Sequence, residues 1–231
     1  MQDASLFSSF KSKEIIVPLF PLPNVVLFPG ALLPLHIFEE RYREMTKDAL
    51  AGSRVIGMIL LQKGWEAEYE GEPSVFPVGC AGEIVQEESL AEGRFNIVLH
   101  GISRFQLTRE LPRGTLYRQG SIVLLDNVAR EEEKEPLEGL RRKVLALCTE
   151  ILMEMKMTEI LPYASSLSAA QLFDTAAFYL NMPADKKQEL LSELDLLKRG
   201  KVLLDILRER VTLMRYLKQN KDSFPQSPMM N

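Results

Sequence analysis

The sequence predicts an α+β protein in which a β-rich pseudo-barrel subdomain is followed by a C-terminal α-helical bundle. Short apolar runs separated by glycine and proline fill residues 14–130, which is typical of strands and turns. Apolar residues at spacings of three and four fill residues 131–218, which is typical of helices with one buried face. A charged run at residues 130–136 separates the two patterns and indicates a linker or the acidic first turn of a helix. Residues 1–13 and 219–231 are expected to be tails.

Six segments of the first subdomain predict strands, at residues 14–20, 32–38, 55–61, 78–86, 95–107 and 117–125. Pro34 confines the second strand to an edge or a bulge, because proline donates no hydrogen bond to a ladder. The third strand is a continuous apolar run and is therefore expected to be buried on both faces. A bulge or bend is expected at Gly101. Short strands in this number indicate a closed or half-open barrel.

One helix is predicted within the first subdomain, at residues 39–50, and Gly52 is expected to end it. The second subdomain predicts further helices at residues 137–155, 168–180, 183–191 and 195–218, which would form a small bundle. Ser168 and Gln171 fit a capping box, and Pro183 suits a first helical turn. Five charged residues of the last helix are expected to face solvent: Arg199, Asp205, Arg208, Glu209 and Arg215.

Charge and cysteine content argue against several classes of partner and site. Lys and Arg number 28 against 32 Asp and Glu, a net charge of -4, so binding to nucleic acid is not expected. The most apolar stretch, residues 15–38, contains prolines that would break a membrane-spanning helix, so no membrane association is expected. Cys80 and Cys148 are too few for a disulfide framework, and the N-terminus has no basic segment typical of a secretory signal. These features favour a cytoplasmic protein.

Four segments resemble one known family in the correct order. The sequence IVPLFPLPNVVLFPG at residues 16–30, followed by LPLHIFE at residues 33–39, closely resembles the opening of the N-terminal substrate-binding domain of Lon proteases. VGCAGEI at residues 78–84, LHGISRF at residues 99–105 and PADKKQELL at residues 183–191 resemble later segments of the same domain. The resemblance covers about residues 14–217. It implies a twisted β-rich subdomain followed by a helical bundle, and a protein that recognises unfolded or tagged polypeptide.

The resemblance does not extend to the catalytic parts of a Lon protease. Such a protease continues into an ATPase and a Ser–Lys protease domain, whereas these 231 residues contain no phosphate-binding loop. The segment Gly200-Lys201-Val202 lacks both the upstream glycine and the hydroxyl residue of that loop. We therefore expect a non-catalytic recognition module, without a cofactor, that binds unfolded polypeptides or a partner protein.

A hydrolase that uses Cys80 and His100 is a third and weaker hypothesis. A reactive thiol needs an electropositive, partly exposed site, and Cys80 lies in an apolar predicted strand. His36 and His100 are the only histidines, and no cysteine–histidine pair has the spacing of zinc ligands. The sequence therefore predicts no catalytic, cofactor-binding or metal-binding residue.

Two segments are candidates for peptide binding. One surrounds the prolines of residues 18–29, and an exposed apolar patch there would bind unfolded chains, although the same side chains could form the core. The other is the polar loop at residues 62–74, whose aromatic side chains could anchor a partner or fold back onto the barrel. The candidate peptide-binding residues are Phe20, Leu22, Val25, Leu27, Phe28, Trp65 and Tyr69. The alternative function is a regulatory adaptor whose helical half docks one fixed protein partner.

We predict that the purified chain neither hydrolyses ATP nor cleaves casein, because it lacks a phosphate-binding loop and a Ser–Lys protease domain. Phosphate release and cleavage of fluorescently labelled casein measure the two activities. Turnover that persists through rigorous purification would contradict this prediction.

Overall fold

The computed structural model describes residues 14–68, 71–112 and 114–220, so most of both predicted tails lies outside the described residues. The strands are β1 (Ile15–Leu22), β2 (Leu32–Ile37), β3 (Val55–Leu60), β4 (Val78–Ser89), β5 (Phe95–Glu110) and β6 (Arg118–Leu125). The helices are α1 (Glu40–Ala51), α2 (Lys134–Glu154), α3 (Leu161–Ser166), α4 (Ala169–Tyr179), α5 (Ala184–Ser192) and α6 (Leu196–Gln219).

The chain divides into two compact units. The first contains the described residues up to Val128 together with Asp174–Asp195, and the second contains Ala129–Phe173 together with the described residues from Leu196 onward. The sequence predicted a single boundary near residue 130. The difference arises because the second half of α4 and all of α5 belong with the sheet, through hydrogen bonds described below.

The six strands form one sheet in the order β2-β5-β4-β3-β1-β6, and β5 also pairs with β6. That extra pairing closes β5, β4, β3, β1 and β6 into a circuit, while β2 extends from β5 as an edge strand. All pairings are antiparallel except that of β1 with β3. The predicted barrel and the predicted edge position of Pro34 are thus confirmed.

Apolar patterning explains how the barrel encloses its core. Every residue of β3 is buried, as the continuous apolar run predicted. Its Ile59 packs with Leu19 of β1, Phe105 of β5 and Ile122 of β6 in one core cluster. On α1 the buried residues Tyr42, Met45, Thr46 and Ala49 recur at helical spacing, and Gly52 follows the last turn as predicted.

The long strand β5 changes direction at an extra residue. Ala81 pairs with Ser103, whereas the next residue, Gly82, pairs with Gly101, so Ile102 is unpaired with β4. Such a bulge bends a strand, and it confirms the irregularity predicted at Gly101. The first part of β5 pairs with β2 and the last part pairs with β6. We call β2, the first part of β5 and the facing second half of β4 the arm.

A buried ion pair connects the barrel to Asp174–Asp195. Arg104 Nη1 and Nη2 donate to Asp174 Oδ2 and Oδ1 at 2.8 and 2.7 Å, and both side chains are 2% exposed. Arg104 Nε donates to the Leu191 carbonyl at 2.8 Å, and Gln188 Nε2 donates to the Val78 carbonyl at 2.9 Å. A bidentate pair with further hydrogen bonds satisfies charges that burial would otherwise destabilise.

The second unit is helical. Leu140 and Val144 of α2 and Leu203 and Leu207 of α6 are buried. The predicted capping box is present before α4, where Ser168 N donates to Gln171 Oε1 at 3.0 Å and Gln171 N donates to Ser168 Oγ at 3.4 Å. The short helix α3 was not predicted, because six residues are too few to show the apolar periodicity of a helix.

The prediction that Arg199 faces solvent is wrong. Its side chain is 1% exposed. Arg199 follows Leu196 by three residues and precedes Leu203 by four, so it lies on the same face of α6 as these two buried leucines. The charge of the side chain suggested exposure, whereas its position in the helix determined burial.

We predict that Arg104→Leu lowers the free energy of unfolding by about 3–5 kcal/mol, because it removes the bidentate partner of the buried Asp174 carboxylate. Urea denaturation followed by circular dichroism measures the change. Arg215→Leu is the matched control, because Arg215 forms a similar two-bond pair with Glu150 but is exposed. An exposed pair contributes about 1 kcal/mol or less. Equal effects of the two substitutions would contradict the importance of the buried pair.

Candidate functional site

The arm has one buried and one exposed face. Ile37, Ile84, Ile97 and Leu99 point to the buried face and are each 2% exposed or less. The pairing register places the residues between them on the other side, because directly opposite residues in a sheet share a face. We call this surface the arm face, and it consists of Leu32, Pro34, His36, Gln86, Glu88, Asn96, Val98 and His100.

A shallow groove of about 400 Å³ lies on the arm face. Pro34 and Val98 pair across β2 and β5 and form an apolar strip within it. Leu32 continues that strip and is 50% exposed. Glu88 and Gln86 of β4 line the opposite side. The groove therefore combines an apolar strip with acceptor groups, which suits a peptide more than a small apolar ligand.

A line of polar side chains crosses the three strands of the arm. His36 Nδ1 donates to Asn96 Oδ1 at 2.8 Å, and Asn96 Nδ2 donates to Glu88 Oε2 at 2.8 Å. Because Nδ1 of His36 donates, Nε2 of the neutral ring is an acceptor. The Glu88 carboxylate orients Asn96, and Asn96 in turn orients the His36 ring.

Close backbone packing holds the start of β2 in place. A Cβ atom on Gly101 would lie 2.1 Å from the Phe28 carbonyl oxygen, so only glycine fits. Gly30 has a φ of +80°, and its N–H donates to the Gly101 carbonyl at 2.8 Å. The segment between β1 and β2 is thus fixed to β5 at the bulge, and β2 begins in register with the first part of β5.

This packing corrects part of the predicted binding surface. Phe20, Leu27 and Phe28 are 4%, 1% and 0% exposed and belong to the core, so the expectation that they lie at the surface is wrong. Phe20 lies within the regular strand β1, whereas Leu27 and Phe28 belong to the segment that follows it and lie against β5 at Gly101. Leu22 and Val25 are half-buried, and their role in binding stays a prediction.

Of the two aromatic residues predicted in the loop, the structure describes only Trp65. Trp65 is partly exposed at the start of a 3₁₀ turn, Trp65–Glu68, and its role as an anchor stays a prediction. Tyr69 lies outside the described residues.

Sequence reasoning did not identify the arm face. The alternation of residues 32–37 and 95–100 was available as a signal, but the register that brings these two strands together was not.

The proposed nucleophile does not have the properties of a reactive thiol. Cys80 is fully buried, and this burial raises the pKa of its thiol well above the usual range. Cys80 pairs with Arg104, whereas His100 pairs with Glu83, three residues further along β4.

Over the part of the chain that the structure describes, no three His, Cys, Asp or Glu side chains cluster as a metal site. Within the same residues, no helix has the length and apolar composition needed to cross a membrane.

Comparisons with known proteins agree on one domain. The family model of the ATP-dependent protease La (LON) substrate-binding domain matches residues 16–209. A Lon protease of Anaeromyxobacter dehalogenans is 28% identical over 206 residues, which cover 87% of this chain and 24% of that protein. Lon protease 2 of Myxococcus xanthus is 27% identical with the same two coverages. The chain thus spans about a quarter of the length of these curated relatives.

Two solved structures show the same fold. The N-terminal domain of the Mycobacterium avium complex Lon protease has a TM-score of 0.70 at 19% identity, covering 84% of this chain and 98% of that one. A Lon N-terminal domain protein from Xanthomonas campestris has a TM-score of 0.57 at 24% identity, covering 83% of this chain and 98% of that one.

We predict that Gly101→Ala lowers the free energy of unfolding by at least about 1–3 kcal/mol, because the new methyl group must displace the Phe28 carbonyl. Gly139→Ala in α2 is the control, since a Cβ atom there meets nothing within 4 Å. Alanine in a helix is favoured over glycine by up to about 1 kcal/mol, so this variant should be unchanged or more stable. Thermal unfolding measures both variants, and a stable Gly101→Ala would contradict the close approach.

Proposed function

This chain belongs to the family of LON substrate-binding domains, and we propose on that premise that it is a non-catalytic module that binds unfolded or partner protein segments at the arm face. The observation that carries the proposal is the groove on the arm face, with an apolar strip beside oriented polar groups. An exposed apolar strip rimmed by polar side chains is a common feature of protein-binding surfaces.

The position of the arm supports this assignment. The closed barrel and the buried ion pair stabilise the first unit without contributions from the exposed side of the arm. Side chains of the arm face are therefore available for recognition while their neighbours on the opposite face form the core. Surfaces of this kind tolerate polar groups because they do not have to pack.

Several observations support a function without catalysis. The family match over residues 16–209 corresponds to a substrate-binding domain. The buried thiol of Cys80 also argues against the hydrolase hypothesis. A cytoplasmic location, which the resemblance to Lon proteases favours, stays a prediction.

A second candidate is the adaptor function, in which the helical half docks one fixed partner. Near the end of α6, Leu213, Tyr216 and Leu217 are 52%, 57% and 47% exposed. They are spaced by three and one residues and so share one side of the helix. An exposed apolar helix face of this kind could pack against a groove on another protein.

We predict that Leu32→Asp weakens binding of unfolded casein by about tenfold or more, because it places a charge in the apolar strip of the arm face. Fluorescence anisotropy with labelled casein measures the affinity. Leu213→Asp is the matched control, because Leu213 is exposed to nearly the same extent as Leu32, 52% against 50%. Both variants should keep the thermal stability of the original chain.

The two variants separate the two candidate functions. Loss of casein binding in Leu32→Asp alone supports the arm face. Loss of casein binding in Leu213→Asp alone would indicate that the binding surface lies on α6 and would overturn the proposal. Absence of casein binding by the original chain would also overturn it.

A further inference from the structure

We infer that the arm face takes an extended protein segment, apolar and basic in composition, that pairs with the free edge of β2 as an added strand. This inference rests on the proposed function and specifies the substrate class and the geometry of binding. It is carried by the hydrogen-bonding groups of β2 and by the charge of the groove, which are independent observations.

The backbone of β2 leaves one row of hydrogen-bonding groups unused by its partner strand. The Gly101 N–H donates to the Ala31 carbonyl at 2.9 Å, so Ala31 directs its carbonyl toward β5. Backbone groups of an antiparallel strand alternate in direction. Leu33, Leu35 and Ile37 therefore face β5, while the backbone groups of Leu32, Pro34 and His36 point away from it.

The position of Pro34 fits this alternation. Proline has no N–H to donate, and it is tolerated where that group would point away from the neighbouring strand. The outer edge thus presents the N–H groups of Leu32 and His36 and the carbonyl groups of all three residues. Among residues 14–68, 71–112 and 114–220, β2 pairs with β5 alone. An extended peptide supplies the complementary groups by strand addition.

Side chains beside this edge specify what the added strand carries. Leu32, Pro34 and His36 lie on the arm face, next to the position that a further strand would occupy. An apolar side chain would contact Leu32 and Pro34. A donor side chain would reach Nε2 of His36, which is the acceptor nitrogen of the neutral ring when Nδ1 donates to Asn96.

The charge of the groove favours basic segments over acidic ones. Glu87 and Glu88 line it, and none of the described residues that line it is lysine or arginine. Glu87 is paired with Arg54 at 2.5 Å, whereas Glu88 accepts its hydrogen bond from the neutral amide of Asn96. A groove of this sign attracts lysine or arginine over a distance of roughly 10 Å at moderate salt.

The first experiment uses hydrogen exchange measured by NMR on the full chain. In the free protein, the amides of Leu33, Leu35 and Ile37 should exchange slowly and those of Leu32 and His36 rapidly. A short peptide of alternating valine and threonine with lysine at each end should slow exchange at Leu32 and His36. Unchanged exchange at these two amides when the arm face is saturated would overturn strand addition.

The second experiment compares backbone-methylated peptides. Only alternate amides of an added strand point toward β2. N-methylation of the valines or of the threonines should therefore abolish binding in one series and leave it nearly unchanged in the other. Equal effects of the two series would overturn strand addition while leaving binding at the arm face intact.

The third experiment tests charge. A peptide with glutamate in place of both lysines should bind about tenfold more weakly at low salt, and the difference should shrink as salt is added. Glu88→Gln should reduce the preference for lysine, whereas Glu132→Gln, an exposed residue outside the groove, should not. Equal binding of both peptides would overturn the preference for basic segments.

A second copy of the chain is the competing occupant of the β2 edge. In that case Leu32 and His36 would be protected in the free protein, and dilution would remove the protection. That outcome would overturn the inference. Loss of casein binding in Leu32→Asp without any binding of the peptides would also overturn it, while the proposed function would stand.

Discussion

The buried guanidinium of Arg104 is the interaction on which the first unit depends. It lies on the central strand β5, and it binds both the Asp174 carboxylate and the Leu191 carbonyl. Its carbon atom also lies 5.9 Å from the centre of the Phe28 ring. One charge therefore joins the barrel, the segment Asp174–Asp195 and the segment that precedes β2. Because a buried charge without partners is strongly unfavourable, loss of the contacts to Arg104 would destabilise the unit.

The strand β5 contributes to two parts of this unit, the core of the barrel and the proposed binding surface. After the bulge at Ile102, β5 contributes Phe105 to the core and pairs with β6. Before the bulge, it supplies the middle strand of the arm, where one side is buried and the other carries Asn96 and Val98. A substitution on the arm face therefore alters the proposed binding surface without removing a core side chain.

Local patterns in the sequence were sufficient to predict much of the fold. The continuous apolar run predicted a buried β3, Pro34 predicted an edge strand, and Ser168 with Gln171 predicted the start of α4. Features made by distant residues were not predictable in this way. Arg104 and Asp174 are separated by 70 positions, and each alone is an ordinary charged residue. The arm face likewise requires the register of two strands that the sequence does not display.

Pro34 has a consequence for the behaviour of the chain at high concentration. An open strand edge can template the stacking of identical segments into fibrils, and such growth requires an unbroken series of donors and acceptors. The missing N–H at Pro34 interrupts that series in the middle of β2, and the bend of β5 limits how flat the arm can become. The edge thus resists the continuous cross-β growth that would turn the proposed binding surface into a site of aggregation.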